Sequence, residues 1–248
     1  MNLANFRDLG GMQTTDGKQV KRHRLLRSGE IVTINQVSKE RLAQHQLTKI
    51  IDLRSKEEIE SKPDDHLEQV DYRWIDIMKD VQENASMDQL FQMNDLVAVD
   101  RHMKQIYFNL VQNKGAQKGY QEFIHQLLET EQGGVLFHCF AGKDRTGMAA
   151  VFALSLLEVP AQAIMQDYLL TNQQRAVPNQ LYLAQLEKEG LTPEQLAGVK
   201  VALEVTPSYL EYANQLIQKD FGGMRPYTKE ILGISDTEQA ALKALYLE

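Results

Sequence analysis

Apolar positions occur along the chain at two spacings, which indicate strands in some segments and helices in others. The patterns typical of strands lie at residues 48–53, 70–77 and 135–137. The last of these runs is apolar at every position, which is typical of a strand buried on both faces of a parallel sheet. Turn signals at Gly10-Gly11 and Asp16-Gly17 separate short apolar pieces, so residues 5–34 are expected to form a small β-hairpin region.

Apolar residues at intervals of three and four predict helices elsewhere. A helix is expected over residues 38–46 with Ser38 as its N-cap, and a second begins after Ser55, with Glu57 and Glu58 in its first turn. The other predicted helices span residues 87–111, 120–128, 146–158, 161–170, 179–188, 193–199, 208–220 and 236–247. The segment 87–111 is interpreted as core, with a mobile cover as the alternative.

Strands that alternate with helices, followed by a helical C-terminal half, predict an α/β fold. Its expected form is a small, mostly parallel central sheet flanked by helices. The sequence contains no internal repeat and no low-complexity linker, so residues 1–248 are interpreted as a single domain.

Composition then excludes several classes of protein. Hydrophobic residues make up 43% of the 248 residues, which is enough apolar surface for a globular core. The formal net charge of −7 argues against a general nucleic-acid binder, and the single cysteine excludes an intramolecular disulfide. The longest apolar stretch, residues 148–157, is far shorter than the roughly 20 residues of a membrane span. With no signal peptide visible, a cytoplasmic location is expected, unless a leader has been trimmed.

A basic run lies at residues 18–27, with Lys18, Lys21, Arg22, Arg24 and Arg27. Such a cluster is usually a solvated face, although it could attract an acidic peptide or an anionic lipid head group.

The segment that carries recognisable chemistry follows the predicted buried strand and precedes a predicted buried helix. It reads His138-Cys139-Phe140-Ala141-Gly142-Lys143-Asp144-Arg145-Thr146-Gly147. The backbone N–H groups of a loop in this position converge at a helix N-terminus, which makes an anion site with phosphate as its natural occupant. Five residues separate Cys139 from Arg145, so a curled loop brings the thiol and the guanidinium to the same phosphate.

The side chains of this loop suggest a nucleophilic role for its cysteine. A helix N-terminus and a nearby cation favour the thiolate of Cys139, placed to attack phosphorus. The hydroxyl of Thr146 is expected to donate to the sulfur, and His138 to hold the loop through neighbouring backbone. Lys143 is either a solvated loop charge or a second anion contact.

The loop string resembles the phosphate-binding loop of cysteine-dependent tyrosine phosphatases, in a bacterial branch of that superfamily. Residues 5–11, 52–55 and 167–172 are also similar to that branch. The resemblance implies a phosphorylated protein or phosphoinositide as substrate. It also implies inorganic phosphate or a similar oxyanion bound by the loop. The expected substrate-binding residues are Phe140, Ala141, Gly142, Lys143, Asp144 and Arg145.

The resemblance also implies a two-step mechanism without a cofactor. Cys139 forms a cysteinyl-phosphate, water hydrolyses it, and Arg145 and the loop amides hold the phosphoryl oxygens. Asp144 is the expected general acid, with pairing to a nearby basic group as its alternative role; Asp76, two residues after Trp74, is the second candidate. No metal is expected, because the six histidines show no spacing typical of ligands.

Two other functions stay open at this stage. One is a phosphoprotein-binding module that has lost catalysis. The other is a sulfurtransferase, which also places a cysteine loop between a strand and a helix, although its loop usually differs in length.

Overall fold

The computed structural model describes residues 3–79 and 95–248 and places a five-stranded sheet at the centre of the fold. The strands are β1 (Arg7–Asp8), β2 (Leu25–Ser28), β3 (Leu47–Asp52), β4 (Asp71–Trp74) and β5 (Gly134–His138). Their order across the sheet is β1-β2-β5-β3-β4. Only the edge pair β1–β2 is antiparallel, and the other neighbours are parallel, as the sequence predicts.

Helices surround the sheet and make up the C-terminal half of the chain. They are α1 (Gln36–Gln44), α2 (Lys56–Ser61), α3 (Leu96–Gln112), α4 (Lys114–Leu128), α5 (Asp144–Leu156), α6 (Ala161–Gln174), α7 (Ala176–Lys188), α8 (Pro193–Leu203), α9 (Pro207–Phe221) and α10 (Asp236–Tyr246). Between α9 and α10 a short helical segment, Met224–Pro226, continues into a π-helical turn, Tyr227–Ile231. The α/β class with a helical C-terminal half is therefore confirmed.

The central strand β5 is buried at every position, because both faces of the sheet are covered. Val135 and Phe137 point into the larger of the two apolar clusters that contain sheet residues, where the Phe137 ring meets the Phe123 ring of α4 at a centroid distance of 5.0 Å. Leu136 points to the opposite face and packs in a smaller cluster with Leu42 of α1. This confirms the prediction of a strand without a solvent-facing side.

The start of α1 differs from the prediction. Asn35, and not Ser38, is the N-cap: its Oδ1 accepts a hydrogen bond from the Ser38 amide at 3.0 Å. The Ser38 hydroxyl is buried and accepts instead from the Leu3 amide at 3.1 Å. Two residues able to cap lie three positions apart, and a contact with the distant N-terminal segment decides between them. At α2 the predicted cap, Ser55, is confirmed and forms a capping box with Glu58.

The apolar segment predicted at residues 87–111 is described only from residue 95 onward, and its first part lies outside the described residues. In the described part, α3 buries Val99, Met103, Tyr107 and Leu110 in the larger apolar cluster. The core interpretation is therefore confirmed for this helix.

The basic run is less solvated than predicted. Arg27 is fully buried, and Arg24 donates to the carbonyls of Gly133 and Thr130 at 2.6 and 2.8 Å. Lys21 donates to carbonyls at the end of α10. Much of this charge is therefore used inside the fold. Within residues 3–79 and 95–248, none of the helices has the length and apolar character needed to cross a membrane.

Candidate active site

The predicted loop joins the end of β5 to the start of α5, at the edge of the sheet where the parallel strands end. Cys139 is the first residue after β5 and is 2% exposed. The strand end is fixed to its neighbour, because the Leu53 amide donates to the His138 carbonyl at 2.8 Å. Lys143 occupies the N-cap position of α5 and makes no side-chain cap, so the loop itself surrounds the positive end of the helix dipole.

Three consecutive carbonyl groups of the loop accept hydrogen bonds from donors outside it. The donor–acceptor pairs are Glu30 N–Phe140 O (3.0 Å), Asn5 Nδ2–Ala141 O (3.2 Å), Arg175 Nη1–Ala141 O (3.1 Å), Asn5 Nδ2–Gly142 O (2.8 Å) and Arg27 Nη2–Gly142 O (2.9 Å). These contacts hold the oxygens away from the concave side of the loop.

The amide N–H groups of the loop point toward its concave side. In a peptide unit the N–H points opposite to the C=O, so fixing the carbonyls outward turns the amides inward. No acceptor in the described ranges takes a hydrogen bond from the amides of residues 140–143. A row of inward amides at a helix N-terminus binds an anion.

Gly142 lets the loop come close to β2. Its φ is +65°, and a Cβ atom at this position would lie 2.1 Å from the Ser28 carbonyl oxygen. Only glycine meets both demands, since other residues rarely adopt a positive φ and any side chain would collide with backbone.

A cluster of one carboxylate and two guanidinium groups lies behind the loop. The Asp167 carboxylate of α6 contacts Arg7 Nε of β1 at 2.5 Å and Arg27 Nη1 of β2 at 2.6 Å. Burial alone would raise the pKa of Asp167, but the guanidinium groups of Arg27 and Arg7 outweigh it and hold this pKa below its usual range. Arg7 also donates to Asn5 Oδ1 at 2.5 Å, which orients the amide that holds the loop. Residues 5–11 and 167–172, two of the segments similar to the phosphatase branch, thus meet behind the loop of residues 138–147.

The Arg145 guanidinium is held in a fixed orientation by Glu58 of α2. Its Nη1 contacts Oε2 at 2.5 Å and its Nη2 contacts Oε1 at 2.8 Å, which is a bidentate pair. Burial opposes the charged guanidinium, yet the Glu58 carboxylate outweighs this and raises the pKa of Arg145. The same Oε2 also accepts from the Ser55 amide at 2.8 Å, so the capping box fixes the carboxylate.

A second buried network lies beside the end of β5. Arg54 contacts Asp52 and Asp64 at 2.7 Å each. His138 places Nε2 at 2.8 Å from Asp64 Oδ2, while its Nδ1 lies 3.4 Å from the Cys139 carbonyl oxygen. Burial would lower the pKa of His138, but Asp52 and Asp64 outweigh it and raise this pKa. His138 therefore supports the loop mainly through an ion pair, besides the predicted backbone contact.

The structure distinguishes the two interpretations of Lys143. Its side chain is only 5% exposed, so it is not a solvated loop charge. Its Nζ lies 2.9 Å from Asp144 Oδ1, and Tyr107 Oη donates to the same oxygen at 2.7 Å. Asp144 therefore does pair with a neighbouring base. Thr146 is fully buried, and its hydroxyl has no hydrogen-bond partner among the described residues.

The sequence pattern placed Asp76 within a strand over residues 70–77, but β4 ends at Trp74 and Asp76 lies two residues beyond it. It lines a cavity of about 420 Å³ together with Trp74 and Glu57. Burial raises the pKa of Asp76, and Arg145 is close enough to act against this rise.

Three contacts of the loop could not be read from local sequence. Glu58 is visible only as a capping residue, and the ion pair between Asp167 and Arg27 joins positions far apart in the chain. Arg175, at the junction of α6 and α7, carries no motif signal at all. Its role in holding the loop depends on where the fold places its guanidinium, and one sequence does not reveal that position.

Replacing Asp167 with Asn should destabilise the fold, because two buried guanidinium groups lose their counter-charge. We expect a loss of about 3–5 kcal/mol in the free energy of unfolding at neutral pH. Since the folded-state pKa of Asp167 is depressed, its contribution is present above the unfolded value of about 3.9 and disappears as the pH falls through the folded value. Urea unfolding should therefore show the wild type and the variant converging in strongly acidic buffer.

The control for this substitution is Glu60→Gln, which removes an exposed carboxylate paired with Lys56 at 3.6 Å. This change should leave the stability nearly unaltered at both pH values. A difference between wild type and Asp167→Asn that stays constant with pH would contradict the assignment of a buried, ionised carboxylate.

Comparison with known proteins agrees with this geometry. A sequence model described as the tyrosine phosphatase family matches residues 1–248. A protein of Cupriavidus necator, named as a tyrosine-protein phosphatase, is 31% identical over 250 residues, covering 99% of this chain and 86% of the relative. The triple specificity protein phosphatase PtpB of Mycobacterium tuberculosis is 26% identical over 277 residues, covering 98% and 96%. The chain therefore belongs to the tyrosine phosphatase family and is a phosphatase.

Proposed function

We propose that this phosphatase hydrolyses phosphate monoesters, with phosphotyrosine as the first substrate, through a covalent intermediate on Cys139. The observation that carries the proposal is the orientation of the loop: its carbonyls are bonded outward, its amides face inward, and Cys139 lies at its base. The binding cup would consist of Phe140, Ala141, Gly142, Lys143, Asp144 and Arg145. The phosphoprotein-binding module and the sulfurtransferase are not favoured, because the chain belongs to a phosphatase family.

In the first step the Cys139 thiolate attacks phosphorus and the bond from phosphorus to the ester oxygen breaks. The loop amides and the Arg145 guanidinium hold the three non-bridging oxygens, so most of the stabilisation is electrostatic and needs no metal. Because Glu58 already fixes the guanidinium, little rearrangement is required when the phosphoryl group arrives.

In the second step water attacks the phosphorus of the cysteinyl-phosphate, and the bond between phosphorus and sulfur breaks. The departing sulfur becomes a thiolate again. Thr146 is suited to donate a hydrogen bond to it, because its buried hydroxyl has no partner among the described residues. Inorganic phosphate is released from the cup.

Asp144 is the proposed general acid for the first step and the general base for the second. Both contacts described above, from Lys143 and Tyr107, fall on Oδ1, so Oδ2 is the oxygen proposed to carry the proton. The proton passes to the departing ester oxygen and returns when water attacks. Asp76 remains the second candidate.

The substrate range is part of the proposal. Phe140 is 39% exposed at the loop and offers a ring face to a phosphotyrosine side chain. Phosphoserine, phosphothreonine and phosphoinositides are kept as further substrates, and the name of the Mycobacterium tuberculosis relative, with its three specificities, supports testing them. The single-domain organisation and the cytoplasmic location stay predictions.

Substituting Cys139 with Ser should abolish turnover of a phosphotyrosine peptide, because the hydroxyl of serine is a far weaker nucleophile than a thiolate. The wild type should retain full activity in EDTA. Phosphate release measured in parallel on phosphotyrosine, phosphoserine and a phosphoinositide then ranks the substrates.

The variant should still bind phosphate, since the amides and Arg145 are unchanged; thermal stabilisation by phosphate provides this control. Turnover that survives in Cys139→Ser, or that disappears from the wild type in EDTA, would refute the covalent, metal-independent scheme.

The effect of Asp144→Asn should depend on the leaving group. We expect phenyl phosphate, whose phenol is a poor leaving group, to be hydrolysed about 10²–10⁴-fold more slowly. For para-nitrophenyl phosphate the loss should be much smaller, because that phenolate leaves without a proton.

Asp76→Asn is the matched comparison, because it removes the other candidate carboxylate. It should slow the two esters equally, if at all. If Asp76→Asn shows the selective loss and Asp144→Asn does not, the general acid is Asp76.

A further inference from the structure

A cluster of three potential metal ligands lies outside the phosphate loop, at the edge of the sheet. Asp8 is in β1, His23 lies in the connection before β2, and His45 follows the last residue of α1. Their ligand atoms all lie within 4.8 Å of one another. His23 Nδ1 is 2.6 Å from His45 Nδ1 and 3.6 Å from Asp8 Oδ2.

The contact between the two rings has a specific chemical meaning. Two imidazole nitrogens at this distance can share one proton, but they cannot both carry one, because two N–H groups would then point at each other. Burial, followed by the neighbouring His23, lowers the pKa of His45, which acts in the direction of the neutral ring that a metal ion binds. A neutral imidazole beside a second imidazole and a carboxylate is the donor set that divalent transition metals prefer.

We propose that Asp8, His23 and His45 bind one divalent transition-metal ion, for which zinc is the test ion. Zinc takes nitrogen and carboxylate oxygen ligands at about 2.0–2.2 Å, so tetrahedral donors lie about 3.3 Å apart. The distance from His23 to Asp8 already fits this geometry, and the two ring nitrogens need to separate by less than about 1 Å. The His23 side chain is 55% exposed, which leaves it room to turn.

The backbone presents His23 to the cluster in a fixed way. His23 has a φ of +63°, in the left-handed region, and its amide donates to Asp8 Oδ2 at 2.8 Å. The other oxygen, Oδ1, accepts from the Gly10 amide at 2.8 Å. Each carboxylate oxygen keeps a further lone pair, so these hydrogen bonds orient Asp8 without preventing it from binding a metal.

Asp52, Asp64 and His138 form a second group of potential ligands, but this group is less suited to bind a cation than the cluster at the sheet edge. The Arg54 guanidinium already lies 2.7 Å from both carboxylates, and its positive charge would repel a metal cation bound between them. In the cluster at the sheet edge, by contrast, the only charge-compensating contact described for Asp8 is His23 itself. We therefore place the metal site at the sheet edge and not beside the end of β5.

A metal ion there would connect three segments that are distant in sequence. It would tie the end of α1 and the connection before β2 to β1, in which Arg7 directly precedes Asp8. The expected role is a structural clamp on the strand that carries Arg7, and it does not depend on the proposed catalytic mechanism.

The test is zinc binding to the full-length, tag-free protein, measured by isothermal titration calorimetry and by thermal unfolding. Both are done in the Cys139→Ser background, so that zinc cannot bind at the catalytic thiol. We expect one zinc ion per chain, and a rise in Tm of roughly 5–10 °C at a free zinc concentration 100 times the Kd.

The variants His23→Asn and His45→Gln should each weaken zinc binding at least tenfold and remove the rise in Tm. Asparagine tolerates a positive φ, so His23→Asn keeps the backbone conformation. The control His66→Asn removes an exposed histidine outside the cluster and should bind zinc normally.

The Tm of each variant without zinc establishes that it is folded, and the less exposed position, His45, serves as the second variant if one fails to fold. The absence of zinc binding by the parent protein at millimolar zinc would overturn the proposal. So would unchanged binding in either folded variant.

Discussion

The carbonyl groups of Phe140, Ala141 and Gly142 are bonded outward, and this leaves the loop amides available to an anion. A loop of this length could bond its amides to its own carbonyls, and it would then have no amides to offer an anion. Asn5, Arg27 and Arg175 prevent this by occupying the oxygens of Ala141 and Gly142. The buried carboxylate of Asp167 holds Arg27 directly, and it also holds Arg7, which orients the Asn5 amide. The geometry of the proposed phosphate site therefore depends on buried ion pairs that lie behind the loop.

Much of the fold is predictable because its elements are local. The all-apolar run in β5 indicates burial on both faces, and the C-terminal helices follow from apolar spacing. Errors arise where a distant contact decides between two local options. Ser38 is a good capping residue, but the Leu3 amide takes its hydroxyl and Asn35 caps α1 instead. Arg24 and Arg27 look like surface charge until β2, which begins directly after Arg24 and contains Arg27, is placed inside the sheet.

The same distinction applies to the site. Cys139 and Arg145 can be predicted from the sequence because one short loop carries both. Glu58, which fixes Arg145, looks like an ordinary capping residue until the end of α2 is placed beside the loop. The histidines at positions 23 and 45 have no ligand spacing along the chain, yet the fold brings their rings to a centroid distance of 4.6 Å. The spacing of residues along the sequence therefore reveals a site within one element, but not a site whose residues come from three separate segments.

Trapping the phosphorylated enzyme tests the covalent role of Cys139. The wild type is mixed with a phosphotyrosine substrate, quenched within milliseconds under denaturing conditions, and digested for mass spectrometry. We expect a transient phosphoryl group on the peptide that contains Cys139, which forms and decays at rates consistent with turnover. Steady turnover with the phosphoryl group on another residue, or with no phosphorylated intermediate at any quench time under conditions that preserve phosphocysteine, would contradict it.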